Sequence, residues 1–187
     1  MIYLNLGCGY PRPQNEPWIN IDQLQAALTN PKSPERCNLA KERNYLECDL
    51  SKGIPYYDKE VDAIFASHFF EHLTPLEGVV LMRECLRVLK PGGVLRTSVP
   101  DAELMVDFEI KGIPYSEEHH PPEMTFTEFV LTFHEHKQIT CYGVMFSLYY
   151  IAGFNQITRR VFGQSPVPGL ASLDNRPSFS LFMEGTK

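Results

Sequence analysis

Short apolar runs recur along the chain, at Tyr3–Leu6, Trp18–Ile21, Tyr45–Cys48, Val61–Ala66 and Val94–Val99. Each has the length of a strand, and all but the last end in a small or polar residue where a loop begins. Between the last two the period changes from strand to helix. Thr74-Pro75-Leu76-Glu77 reads as a capping box, with Thr74 at the N-cap, Pro75 at the first helical position and Glu77 reaching back. Leu76, Val79, Met82, Leu86 and Leu89 then recur at steps of three and four, which predicts a helix packing that stripe inward. Pro91-Gly92-Gly93 is expected to stop it and turn the chain into Val94–Val99. Strand, helix, strand is a βαβ unit, so a parallel sheet with helices on its faces follows.

Beyond Pro100 the pattern loosens. Asp101–Ile110 reads as a short helix, and Lys111–Met124, with three prolines and the His119-His120 pair, reads as a loop or lid. Thr125–Glu135 and Thr140–Ala152 read as helices, and Tyr142, Phe146, Tyr149 and Tyr150 in the second have the spacing of a core face. Asn155–Phe162 and Ser178–Glu184 alternate as two closing strands, joined by the proline-rich Gln164–Pro177.

With 187 residues, 43% of them hydrophobic and 21% charged, the chain is one globular domain and not a disordered or collagen-like one. The balance of 17 basic against 23 acidic residues, a net charge of −6, argues against a phosphate-neutralising nucleic-acid face. Arg83/Arg87/Lys90 and Arg159-Arg160 are the basic clusters, and both read as solvated edges. Five cysteines without CxxC spacing speak against a zinc ribbon or disulfide framework and suggest reduced, mostly buried thiols. With no basic start and apolar run at the N-terminus, and no stretch of about 20 apolar residues, a cytoplasmic protein without a membrane partner is expected.

In an open parallel sheet, ligands bind where the carboxyl ends of the strands meet their loops. Four such ends carry suggestive residues. Gly7-Cys8-Gly9 follows the first strand, where a missing Cβ lets a ligand approach the backbone. Asp22 ends the second, a carboxylate suited to the two hydroxyls of a ribose. Asp49 follows the third, and Ser67-His68 the fourth. Taken singly, Asp22 and Asp49 read more readily as solvated loop carboxylates or N-caps; in this ordered set they read as ligand contacts.

In that order, Leu-Asn-Leu-Gly-Cys-Gly (4–9), Asp22, Cys-Asp-Leu (48–50), Val-Asp-Ala-Ile-Phe-Ala-Ser-His-Phe-Phe-Glu-His-Leu (61–73) and Leu-Lys-Pro-Gly-Gly (89–93) resemble class I S-adenosylmethionine-dependent methyltransferases. The likeness is to the small type-11 group, often found among glycan biosynthesis genes. It covers residues 1–110 through specific motifs and the remainder more loosely. The fold it implies is α/β, a Rossmann-like three-layer sandwich with a mainly parallel seven-stranded sheet and an antiparallel last strand. Residues 1–187 would form a single domain with a lid or acceptor-site insertion at about 101–140. The resemblance makes S-adenosylmethionine the cofactor and a small molecule the acceptor, a sugar or glycan precursor among the candidates. Asn5, Gly7, Cys8 and Gly9 would pass under the methionine part. Asp22 would hold the ribose, Asp49 the adenine amino group, Leu50 would flank the ring, and Ser67 and His68 would lie beside the methyl.

The chain departs from the family in its first loop. Pro11 stands where a further glycine is expected, and Asp22 lies only 13 positions after Gly9, with three prolines from Tyr10 to Pro17. A full helix hardly fits there, so the helix N-terminus that usually faces the cofactor carboxylate is missing or reduced to a turn. Arg12 would supply the counter-charge, against the plainer reading of a surface arginine. The same departures weigh against a nicotinamide site, which needs GxGxxG opening a helix.

His68-Phe69-Phe70-Glu71-His72 also matches H-x-x-E-H, the inverted zinc-hydrolase motif, which on a helix would place His68 and His72 on one face. Its position at a strand end inside a βαβ unit argues against that. Some relatives, ubiquinone-pathway O-methyltransferases among them, carry a similar acidic/His cluster that binds a divalent cation. Glu71 and His72 match it, but His68 stands where an acid is expected. The sequence assigns no metal ligand, and the simpler reading has Glu71 and His72 order the loop under the acceptor pocket. A hydroxyl acceptor needs its proton removed near neutral pH, and His72, nearest the expected methyl, is the preferred base. His119, His120, His134 and His136 fall in the expected lid and read as solvated. The rival readings are an inactive cofactor-binding accessory protein and a metal-dependent hydrolase.

Overall fold

A computed structural model describes residues 1–8, 18–22, 44–112, 128 and 135–187. The strands are β1 Tyr3–Leu6, β2 Trp18–Asp22, β3 Tyr45–Glu47, β4 Val61–Ser67, β5 Leu89–Pro100, β6 Asn155–Arg160 and β7 Ser180–Thr186. They form one sheet in the order β3-β2-β1-β4-β5-β7-β6. The first five run parallel, and β7 lies antiparallel to both β5 and β6. This is the α/β Rossmann-like sandwich expected: β1 to β5 lie where the five apolar runs put them, and β6 and β7 where the two alternating segments did. The near-continuous burial of β1 and β4 is the signature of central parallel strands covered on both faces.

The connection from β4 to β5 is α1, Pro75–Val88. Its capping box is formed in full: Glu77 N donates to Thr74 Oγ1 and Thr74 N donates to Glu77 Oε2 at 2.7 Å. The buried face differs from the expected stripe. Gly78, Leu81, Met82, Cys85 and Val88 point inward, while Leu76 is 74% exposed. Of the expected stripe, Met82 and Leu89 are fully buried and Val79 and Leu86 pack against the core; Leu76 alone departs, at the N-terminal end of the helix where it lines a cavity. The helix also ends earlier than Pro91. Leu89 already pairs with Val61, and residues 90–93 bulge out before Val94 resumes against Ala63.

Among the described residues two more helices follow, α2 Ala102–Ile110, capped by Asp101, and α3 Tyr142–Ala152. α3 packs on α1, and together they cover one face of the sheet. On the other face Tyr3, Trp18, Phe65 and Val94 pack under the short 3₁₀ turn Leu170–Leu173. The aromatic run of α3 is not core as expected. Only Tyr149 is buried, its hydroxyl bonded at 3.1 Å to Thr97, whereas Tyr142, Phe146 and Tyr150 lie on the outer face with Phe146 stacked on Tyr150.

Both basic clusters are largely tied down. Arg87 pairs with Glu84 and Asp58, Lys90 with Asp62, Arg159 with Asp101 and Arg160 with Glu184. Cys8, Cys48, Cys85 and Cys141 carry no disulfide, but only Cys85 is fully buried, fewer than expected. Among the described residues no helix is long and apolar enough to cross a membrane. The helix expected at Thr125–Glu135 falls almost entirely outside the described residues, as do Gly9, Arg12, His119, His120 and His134.

Candidate active site

Parallel pairing brings the carboxyl ends of β1 to β5 to one edge of the sheet, and the residues that follow converge there. Asp22 is fixed at the tip of β2 by its carbonyl, which accepts from Cys48 N at 3.0 Å and from the Tyr45 hydroxyl at 2.8 Å. Its negative charge is felt by its neighbours. Burial first and then Asp22 push the Cys8 thiol up to about 12, so Cys8 stays protonated and is no nucleophile. The same two causes raise the Tyr45 phenol.

Asp22 opens onto a cavity of about 540 Å³, walled by Asp49, Leu50, Phe69, Leu76 and Val80. That volume is within the ~300–1,000 Å³ of small-molecule sites. Asp22, Asp49, Glu77 and Lys137 supply its charged lining, and the apolar walls between them suit a ligand with both hydroxyls and a flat apolar ring. Asp49 caps the 3₁₀ turn Leu50–Lys52, accepting from Ser51 N at 3.0 Å and Ser51 Oγ at 2.6 Å. The Ser51 bond, helped by Lys52, holds its carboxyl below the usual range. Asp49 is thus an N-cap, the plainer of the two readings from sequence, and it also lines the cavity.

The residues after β1 and β4 are arranged differently. Gly7 has φ +59°, and its N–H donates to Ile21 O at 2.9 Å. The space its missing side chain leaves is taken by Phe69: a Cβ on Gly7 would lie 2.3 Å from the ring. Asn5 is buried, its amide donating to Asn20 Oδ1 at 2.8 Å, so it stitches β1 to β2 and offers nothing to the cavity. Ser67 Oγ accepts from Asn175 Nδ2 at 2.8 Å, and His68 Nε2 lies 2.9 Å from Ser180 Oγ. Both side chains face the connection into β7, away from the cavity walls. Asp22, Asp49 and Leu50 are therefore brought together around one space, with Ser67 and His68 on its β7 side.

His68 takes the left-handed conformation, φ +49°, and Phe70–His72 is a 3₁₀ turn. The H-x-x-E-H segment is consequently not helical, and the shared face a zinc hydrolase needs is not formed. His68 Nδ1 lies 3.2 Å from Glu71 Oε1. Burial pulls the imidazole below its ordinary value, against the opposing pull of Glu71. His72 is half-buried and meets His136 edge to face, ring centroids 4.8 Å apart. Sequence reasoning missed Phe69, Leu76 and Val80 as cavity walls and His136 as a neighbour of His72. No sequence signal marked them, because each depends on the tertiary arrangement around α1.

Residues 4–97, half of the chain, match the model of a family described as a methyltransferase domain, type 11. The chain belongs to that methyltransferase family. The resemblance to class I S-adenosylmethionine-dependent methyltransferases, and with it the cofactor, is borne out. Solved structures share the fold. A S-adenosylmethionine-dependent methyltransferase from Archaeoglobus fulgidus is 16% identical with a TM-score of 0.57, 99% of this chain and 85% of that one being covered. Another from Aquifex aeolicus is 18% identical with a TM-score of 0.58, covering 100% and 81%. PigF, solved with S-adenosylhomocysteine, is 15% identical with a TM-score of 0.60, covering all of this chain but 50% of that one. No curated protein sequence matches this methyltransferase.

Proposed function

We propose that this methyltransferase transfers a methyl group from S-adenosylmethionine to an oxygen or nitrogen of a small molecule, with a sugar or glycan precursor as the acceptor class. The observation that carries the reading is the cavity at the ends of β2 and β3, with Asp22 at its mouth and Leu50, Phe69, Leu76 and Val80 as apolar walls. Asp22 would accept from the ribose hydroxyls, Asp49 from the adenine amino group, and Leu50 would flank the ring. Gly7 and Cys8, at the end of β1, would lie nearest the methionine part, with Phe69 packed over Gly7 and Ser67 and His68 on the β7 side.

When bound, the cofactor supplies a methyl group already activated on a sulfonium. The chain's task is then mainly alignment, worth up to about 7–11 kcal/mol in favourable systems. A hydroxyl acceptor must also lose its proton, and His72, half-buried at the end of its turn, is the group proposed to take it, a contribution of roughly 10²–10⁴-fold. The tied-down basic clusters and net charge of −6 favour a small acceptor over nucleic acid. The test is incubation with S-adenosylmethionine and a panel of hydroxylated and amino sugars, following S-adenosylhomocysteine by mass spectrometry. Acceptor-dependent product supports the reading. Cofactor binding without turnover on any acceptor would replace it with the accessory-protein reading.

A further inference from the structure

The connection from β6 to β7 is pinned to the sheet in three places. The buried Arg96 guanidinium donates to the carbonyls of Val161 and Gln164 and pairs with Asp174. Asn175 Nδ2 then donates to Ser67 Oγ at 2.8 Å, at the carboxyl end of β4. Where the segment enters β7, Ser180 Oγ lies 2.9 Å from His68 Nε2.

Between the last two anchors stands Arg176, in the left-handed conformation at φ +52°. Residues other than glycine enter that region at a cost, and such backbones gather at functional sites. His68 shares it, φ +49°, and lies within reach of the Arg176 charge. Burial holds the His68 imidazole below its ordinary value against the pull of Glu71, and Arg176 adds to the effect of burial.

The other cations along this edge are paired. Among the described residues Lys52 meets Asp49, Lys137 meets Glu77, Arg159 meets Asp101 and Arg160 meets Glu184. Arg176 is exposed and has neither an ion pair nor a hydrogen bond among them. The strand ends beside it offer hydroxyls. Ser98 pairs in register with Ser67, and its Oγ is fully buried without a partner. Buried hydroxyls are ordinarily satisfied by protein, water or ligand. Ser67 Oγ, which accepts from Asn175, still has its own proton to give.

We propose that Arg176, with Asn175 and the hydroxyls of Ser67 and Ser98, forms an acceptor subsite for an anionic group, the carboxylate or phosphate of a sugar. The inference rests on the methyl-transfer reading. With the nucleoside end of the cofactor over β2 and β3, the acceptor lies on the β7 side, where this cluster stands. A planar guanidinium takes either anion through two parallel N–H···O bonds, and the serine hydroxyls hold further oxygens. In a chain of net charge −6, an anionic acceptor needs a local cation of this kind. Holding the acceptor by a group that does not react leaves its hydroxyl free to be aligned with the methyl.

The test is titration of glucuronate, glucose-1-phosphate and glucose into isotope-labelled protein, with and without S-adenosylhomocysteine, followed by amide NMR shifts. At least one anionic sugar should bind tenfold or more tightly than glucose and shift the amides of Asn175 and Ser180. The tighter of the two anions identifies the group as carboxylate or phosphate. Arg176→Gln, an exposed position, should remove the preference over glucose. Glucose binding as tightly as the anions, no saturable binding of any of the three, or a preference indifferent to Arg176→Gln would overturn the subsite. A tenfold loss of S-adenosylhomocysteine affinity in Arg176→Gln would also overturn it, by giving the cation to the cofactor carboxylate. Wild-type protein that takes up no S-adenosylhomocysteine would fail the methyl-transfer reading, and the cofactor-free titration would still decide the anion site.

Discussion

Gly7→Ala perturbs the point where the first strand end meets the turn after β4. Gly7 sits at φ +59°, and placing an alanine in the left-handed region costs about 1–2 kcal/mol. The new Cβ would fall 2.3 Å from Cγ and Cδ2 of Phe69 and 2.8 Å from its Cβ. Because the Phe69 Cβ is itself too close, the ring cannot simply swing away and the turn must shift. Overpacking of this kind costs typically 1–3 kcal/mol, for a total of about 2–5 kcal/mol. Urea denaturation of wild type, Gly7→Ala, Phe69→Ala and the double variant measures this. The cycle should show the double variant less destabilised than the two singles added, by about 1–3 kcal/mol, because removing the ring removes the clash but not the backbone strain. Additive effects, or a Gly7→Ala variant within about 0.5 kcal/mol of wild type, a change ordinary for surface substitutions, would refute the contact.

Other consequences concern the rest of the frame. Arg96 is fully buried on β5, where its guanidinium pairs with Asp174 and with Glu184 and donates to the carbonyls of Gln164 and Val161. Arg96→Met should destabilise by about 3–5 kcal/mol in urea, since it leaves two buried carboxylates short of a partner; a loss below about 1 kcal/mol would contradict this. Glu84 is held below the usual glutamate range chiefly by its Arg87 hydrogen bonds, so it gains its proton more readily in the unfolded chain. Its contribution is present above the ordinary value of 4.5 and is lost as pH falls through the folded value. Glu84→Gln should therefore lower the urea midpoint at pH 6 more than at pH 3, and an equal loss at both would argue against the linkage.

The strand pattern made most of the frame legible. The apolar runs placed the five parallel strands, because central parallel strands covered on both faces are largely apolar, as β4 shows, and alternation placed β6 and β7. The capping box placed the start of α1 because its chemistry is local. Its buried face was not legible: Leu76 and Val80 satisfy a helical period equally well as core or as cavity wall, and only the tertiary arrangement distinguishes them. The α3 aromatics misled for the same reason. That Asp22, Asp49 and Leu50 would share one space was legible because strand ends are sequence-local. Phe69 over Gly7 and His136 beside His72 were not, since each depends on a contact between distant segments.

The central claim is that the cavity at the ends of β2 and β3 holds S-adenosylmethionine, with Asp22 on its ribose. The most direct measurement is calorimetric titration of S-adenosylhomocysteine into wild type and Asp22→Ala. Micromolar binding to wild type, weakened at least tenfold (about 1.4 kcal/mol) by a substitution that leaves the fold intact, is the result expected. Folded wild-type protein that binds no cofactor, or binds it equally well without the Asp22 carboxylate, would contradict the account.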